Sequence, residues 1–389
     1  MMTAAETAAS LANEPNPKNR FDKRELAGAF GDLGTLIPFV IGYITVVKMD
    51  PLGVLFSFGM MLIIGGLYYK TPMPIQPMKA IGSAAITQTA VITPGMVMGS
   101  GLFTGLLWLT LSLTGALDFI AKIISKPVVR GITLGLGLSF ILQGIKMMRS
   151  DFLVAIIALV FTFLLLNNKR IPAMFVLIIL GIAAALIKDP GLFAELSGIH
   201  LDLRLPQLLP IHMTWSDFLM GTLILAIPQA PLTLGNAVVA VTAENNRLFP
   251  NHPVTEKKVA LSQGLMNIVS PLLGGIPMCH GAGGMAGHVR FGARTGGSTI
   301  ILGVILLATG LCFSNSVILI FKLFPLSILG VILFFAGLEM AITARDINEK
   351  NDFYILLVTA GFAVWNMGAG FLAGLIMQEL FKRRIFKLH

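Results

Sequence analysis

Apolar residues fall along this chain in long blocks separated by short polar connections, without the strict alternation of a half-buried strand. Measured against the roughly 20 residues that cross a bilayer, the blocks predict membrane segments near 26–47, 52–69, 73–90, 95–117, 129–147, 152–167 and 171–188. A polar connection from Asp189 to Met213 follows. A second set lies near 214–241, 259–276, 277–289, 298–318, 325–343, 352–365 and 367–382. The expectation is an all-α polytopic membrane protein of about fourteen segments, seven on each side of the connection.

The third and tenth segments break the pattern. Pro72-Met-Pro-Ile-Gln-Pro-Met-Lys carries three prolines in six residues, so its first part runs extended and a helix is predicted to start near Met78. Gly274-Gly-Ile-Pro-Met-Cys-His-Gly-Ala-Gly-Gly-Met-Ala-Gly has the same form, an extended stretch and then a helix start made of small residues. Irregular backbone at membrane depth survives only where protein buries it or where it lines a cavity, so both segments are expected to point inward. They lie about 205 residues apart, each third in its set of seven. Matched interrupted segments in two halves point to a transporter site at the interface of inverted repeats, and an odd number of spans gives the halves opposite orientations.

Composition agrees. Only 12% of the 389 residues are charged against 55% hydrophobic, too little charge to clothe soluble domains. With 2 Cys there is no disulfide framework, and the formal charge of +9 resides in connections between apolar blocks, where it signals topology and not a nucleic-acid surface. Cytoplasmic N- and C-termini place about 21 of the 28 basic residues on the inner side. Residues 1–24 are polar and small, without the apolar core of a secretory signal, and are expected to form a disordered cytoplasmic tail. At the other end 385–389 form a short cytoplasmic tail, and no soluble domain is expected after the last span.

Two helix starts facing each other across extended stretches leave N–H groups unpaired at the positive ends of helix dipoles, which suits an anion. The glycines of Gly281-Ala-Gly-Gly-Met-Ala-Gly let an oxyanion approach the backbone, although small residues also permit close helix packing in membranes. Lys79 is the one basic residue placed inside a span; it faces an anion or water cavity, or pairs with an acid such as Asp32. Asp32, within Gly28-Ala-Phe-Gly-Asp-Leu-Gly-Thr, has three readings of equal standing: a proton-coupling carboxylate, a partner of Lys79, or an interfacial acid. Thr35, Gln76, Gln229, Thr233, Asn236 and His280 are uncharged hydrogen-bonding candidates. Cys279, His280 and His288 make a poor metal set, because no carboxylate lies in their segment. Glu244, Glu339 and Glu379 sit near inner ends and are expected to be solvated or paired. Neither a catalytic constellation nor a cofactor motif is present, which leaves an enzyme as a remote alternative and a passive anion channel as one that pore polarity alone does not exclude.

The interrupted segments, together with His288-Val-Arg-Phe-Gly-Ala-Arg-Thr-Gly, Gly28-Ala-Phe-Gly-Asp-Leu-Gly-Thr and Ser125-Lys-Pro-Val-Val-Arg-Gly, resemble the signatures of the molybdate transporter family, a branch of the sulfate permease superfamily. The resemblance implies a seven-plus-seven inverted repeat like that of uracil permease, with repeats over 25–188 and 214–384 joined by an external connection at 189–213. It implies a core of spans 1–4 and 8–11 moving against a gate of spans 5–7 and 12–14, and a homodimer in the cytoplasmic membrane. Sulfate permeases generally carry a STAS domain after the last span; this chain ends at His389 without one, as members of the molybdate branch do. Many of those relatives place an arginine where this chain has Gly284, and Lys79 is then the source of positive charge. The resulting expectation is a secondary carrier taking molybdate inward, with sulfate or a broader oxyanion range as the alternative. Met78, Lys79, Ala80, Cys279, Gly281, Ala282, Gly283 and Gly284 would line the site with Thr35, Gln76, Gln229 and His280, and Asp32 would carry a proton. No cofactor is expected, and the remaining partner is membrane lipid.

Overall fold

A computed structural model describes residues 18–87, 92–117, 124–165, 168, 171–208 and 213–383. Residues 1–17 of the expected N-terminal tail and the whole C-terminal tail lie outside them. The first half contains α1 (Lys23–Ala29), a 3-10 turn at Phe30–Asp32, α2 (Leu33–Thr45), α3 (Pro51–Tyr69), the strand β1 (Gln76–Pro77) and α4 (Lys79–Thr87). It continues with α5 (Pro94–Leu113), α6 (Lys126–Met148), α7 (Phe152–Leu165), α8 (Ala173–Lys188) and the short α9 (Gly191–Ser197). The second half holds α10 (Trp215–Met220), α11 (Ile227–Leu232) and α12 (Val241–Leu248), joined by π-helical stretches into one 34-residue helix. After it come α13 (Glu256–Leu272), β2 (Met278–Cys279), α14 (Ala282–Arg290), α15 (Gly297–Phe313), α16 (Val317–Phe321), α17 (Leu326–Ile342), α18 (Lys350–Trp365) and α19 (Met367–Lys382).

Local chemistry sets many of these boundaries. Pro51 and Pro94 open α3 and α5, where a missing N–H costs nothing. The side chains of Thr93, Thr255 and Asn366 accept from first-turn amides of α5, α13 and α19. The eighth segment runs to Leu248, past the expected end at 241, because its prolines Pro228 and Pro231 are accommodated by π-helical turns on either side instead of breaking the helix. Within the expected polar connection, α9 turns back at 110° from α8.

Among the described residues seven helices are long and apolar enough to cross a membrane, or eight if the bent α8–α9 pair counts as one span. The difference from about fourteen has a physical origin. Among the described residues the third and tenth segments contribute helices of 9 residues, α7, α8, α18 and α19 have 14 or 16, and α13 has 17, all short of the length that crosses a bilayer unaided.

Helix packing rests on small residues. In the α6–α17 pair a methyl built on Gly137 would lie 2.8 Å from the Gly337 carbonyl oxygen, and one on Gly330 would lie 2.6 Å from that of Gly144. The α3–α15 pair repeats the device at Gly59 and Gly303. With no hydrophobic drive between helices in lipid, such backbone-to-backbone approach supplies the dispersion contacts that hold them.

Candidate functional site

The two interrupted segments meet. β1 and β2 pair antiparallel, Gln76 opposite Cys279 and Pro77 opposite Met278, and the Met78 N–H donates to the Pro277 carbonyl at 3.0 Å. The prolines that forbid helix here also cap the number of ladder bonds, so the sheet stays two residues long and α4 and α14 start directly behind it. Polar side chains of α13 hold the ladder. Asn267 Nδ2 and Gln263 Nε2 both donate to the Met278 carbonyl at 2.7 Å, and Asn267 Oδ1 accepts from its N–H at 2.9 Å.

The amides expected to face an anion divide unequally. At α4 the Met78 N–H is in the ladder, and the Ala80 and Ile81 N–H groups donate to Gln229 Oε1 at 2.8 and 3.4 Å. Gln229 Nε2 in turn donates to Thr233 at 3.0 Å, so this side chain caps α4 and does not project into the gap. At α14 the cap residue Gly281 supplies no side-chain partner, and Ala282, Gly283 and Gly284 are the first-turn residues of the helix. Their N–H groups have no intrahelical acceptor, so of the two helix starts that of α14 is the open one.

Lys79 is the basic side chain beside these helix starts. Its Nζ is buried, has no hydrogen-bond partner among the described residues and makes no ion pair with Asp32. It rests 4.0 Å from the centroid of the Phe140 ring, on α6. That ring also lies against Gly283, where a side chain would overlap it. Phe140 therefore touches both half-helix starts, a role the sequence did not signal because one phenylalanine among 26 in apolar blocks looks like packing.

Asp32, 4% exposed, sits at the break between α1 and α2. Its carboxylate accepts a short hydrogen bond from Thr35 and one of 2.5 Å from Gln76 Nε2, which also reaches Thr35 Oγ1 at 2.9 Å. Those two acceptors hold Nε2 toward Asp32 and turn Gln76 Oε1 toward Gly281, where it is buried with no donor. Asn236 Oδ1 is likewise buried and unpartnered.

His280 is committed elsewhere. Nδ1 bonds the Pro74 carbonyl at 2.9 Å and Nε2 bonds Ser262 Oγ at 2.7 Å, so neither ring nitrogen is free for a substrate. Cys279 is buried with its thiol toward the Pro77 carbonyl, 3.9 Å away. No group of three metal-ligating side chains occurs among the described residues. The inner-end acids are paired: Glu244 with Arg247, Glu339 with Arg290 and Glu379 with Arg383.

Residues 24–140 and 221–340, which include this whole arrangement, match the family model described as a molybdate transporter of the MFS superfamily. The chain belongs to the molybdate transporter family. Within that family it is similar to Molybdate transporter 2 of Arabidopsis thaliana, 35% identical over 92% of this chain and 87% of that protein. It is 29% identical to Molybdate transporter 1 of Chlamydomonas reinhardtii, over 90% of each. These relatives are membrane transporters, not enzymes. The fold resembles the transmembrane domain of a cyanobacterial bicarbonate transporter, BicA, with a TM-score of 0.59 at 15% identity over 93% of this chain and 98% of that one. It also resembles the murine anion transporter Slc26a9 in its inward-facing state, with a TM-score of 0.62 at 14% identity over 98% of this chain and 71% of that one. Family membership and fold thus agree on a helical, multi-pass membrane transporter.

Proposed function

We propose that the protein is a secondary active carrier that takes molybdate into the cytoplasm by alternating access. The observation that carries this reading is the pairing of a buried, unpartnered Lys79 ammonium with the uncapped start of α14 across the β1–β2 ladder. A tetrahedral dianion would accept from the N–H groups of Ala282, Gly283 and Gly284 and from Lys79, with Gln76 and Thr35 flanking it and Asn236 nearby. Met78, Ala80, Gln229, Cys279, His280 and Gly281 shape and hold the cradle.

Inward movement of two negative charges against a membrane potential of about 100 mV costs roughly 4.6 kcal/mol. Proton coupling offsets that cost, and Asp32 is the buried carboxylate placed to carry the proton. The seven-plus-seven repeat is supported by an exchanged packing pattern. The second span of each half packs on the fourth of the other, α3 on α15 and α13 on α5. The proposed gate pairs α6 with α17 and α18, and α6 carries Phe140 to the core half-helices. Cytoplasmic termini, a cytoplasmic-membrane location and a homodimer complete the proposal.

Uptake of labelled molybdate into proteoliposomes, with excess sulfate as competitor and an imposed pH gradient, tests it. Saturable uptake that resists sulfate and follows the proton gradient is expected. Full competition by sulfate makes the protein a general oxyanion carrier, and uptake that ignores any second ion gradient makes it a channel.

A further inference from the structure

Gln76 is an amide between two groups that want opposite things from it. On one side stands Asp32, whose ionised carboxylate requires the donor end, Nε2, at 2.5 Å. On the other, at the cap of α14, the acceptor end, Oε1, lies against Gly281, buried without a donor, while Nε2 and the Asp32 carboxylate lie one turn further on against Gly284. An acceptor oxygen at Gly281, on the approach to the α14 N-terminus, repels an incoming oxyanion. The same amide turned over would instead offer it a donor.

Turning it over requires one event. The two ends of a primary amide nearly exchange places on rotation about the last side-chain bond, so no neighbour has to move. If Asp32 takes up a proton, its O–H can donate to Oε1 in the place Nε2 held, and the Thr35 hydroxyl, now 2.9 Å from Nε2, can donate there as well. Nε2 then takes the place of Oε1 against Gly281. We propose that Asp32 and Gln76 form a proton-set switch in which protonation of Asp32 reverses the Gln76 amide and turns an acceptor that repels the oxyanion into a donor that binds it. Gln76 is thus the positioning residue that makes proton and anion binding favour each other, and by reciprocity the bound anion holds the proton on Asp32. The inference deepens the carrier reading and rests on it.

The other ionisable groups around Asp32 are engaged or on another side of the cradle. Lys79 on α4 lies on Phe140. Cys279 on β2 faces the Pro77 carbonyl, and His280 beyond it bonds Pro74 and Ser262. His288 on α14 bonds the Gly28 carbonyl at 2.7 Å, Glu25 on α1 bonds backbone N–H groups, and Glu339 on α17 pairs with Arg290.

The test is equilibrium binding of molybdate, and separately of sulfate, to purified protein across a pH range in which both anions stay fully ionised. Wild-type affinity should strengthen as pH falls, approaching about tenfold per pH unit for one linked proton. Asp32→Asn, whose amide can donate to Gln76 Oε1 as protonated Asp32 would, should bind tightly at every pH. Gln76→Met, close in shape and without polar ends, should bind more weakly and also lose the slope, whereas a merely structural role would lower affinity equally at all pH values and keep it. If Asp32→Asn does not fold, Gln76→Met carries the test alone. A wild-type slope surviving in either variant, or wild-type binding that ignores pH, overturns the switch and leaves the carrier reading standing. Wild type that binds neither anion at any pH overturns both.

Discussion

Glu25 lies 1% exposed at the start of the helix that leads to Asp32, and its carboxylate accepts three backbone N–H groups at the head of α15. Oε1 takes Arg294 and Thr295 at 2.9 Å each, and Oε2 takes Ser298 at 3.1 Å. Glu25→Gln keeps the shape and removes one acceptor. In its better orientation the amide oxygen keeps Arg294 and Thr295 while its NH2 faces the Ser298 N–H. The buried N–H so orphaned costs about 1–3 kcal/mol. Losing the negative charge at a helix N-terminus costs up to about 2 kcal/mol more. Relief from burying a charge works the other way, so a net loss of about 2–3 kcal/mol is expected. Glu25→Ala orphans all three N–H groups and should prevent the protein from accumulating. Thermal unfolding in detergent, followed by a thiol-reactive dye in a Cys312→Ser background that removes the half-buried second thiol, reads the effect because Cys279 is 2% exposed and reacts only on opening. A Glu25→Gln protein melting with wild type would refute the account and make the carboxylate dispensable as a clamp.

Lys79→Gln should weaken oxyanion binding about 10- to 150-fold, the worth of one hydrogen bond to a charged group, and unchanged affinity in a binding titration would remove Lys79 from the site. Gly337→Ala places a methyl 2.6 Å from the Gly137 carbonyl oxygen. The overpacking cost of about 1–3 kcal/mol should exceed the gain of about 1 kcal/mol in helix propensity and lower the melting temperature. The Lys188 ammonium, 2.6 Å from Asp151 in the turn before α7, holds that carboxyl below its usual range. Its folded value is depressed, so the stabilisation is present above the ordinary carboxylate range and is lost as pH falls through the folded value. Asp151→Asn should therefore cost about 0.2–1 kcal/mol at neutral pH, Lys188 being largely solvated, and nothing in strong acid, as melts at the two pH values would show.

What the sequence revealed follows from how local each cause is. Proline and glycine act on their own backbone, so the interrupted segments around Gln76 and Cys279 and their inward direction were legible. Pairing of those segments residue for residue was not, because the register is set by Asn267 and Gln263 on a third element. His280 read as a free hydrogen-bonding group, yet its partners lie 18 and 206 residues away. Gln229 was legible as an uncharged hydrogen-bonding candidate, but only the fold shows that it consumes the Ala80 N–H. Glu25 was not singled out, since nothing nearby in sequence announces the amides at Arg294 and Thr295 that it meets.

The two-residue ladder has a consequence for how the protein is made. β1 emerges from the ribosome about 200 residues before β2, which it pairs with. Until then Met78 lacks the Pro277 carbonyl and α4 lacks Gln229, in a bilayer where unpaired backbone groups cost several kcal/mol each. The first half must wait partly assembled, its third segment held at the membrane surface or sheltered by the insertion machinery. Closure of the ladder is then the late event that seats both half-helices, and a nascent chain arrested before residue 277 should show the Gln76 segment still open to water-soluble reagents.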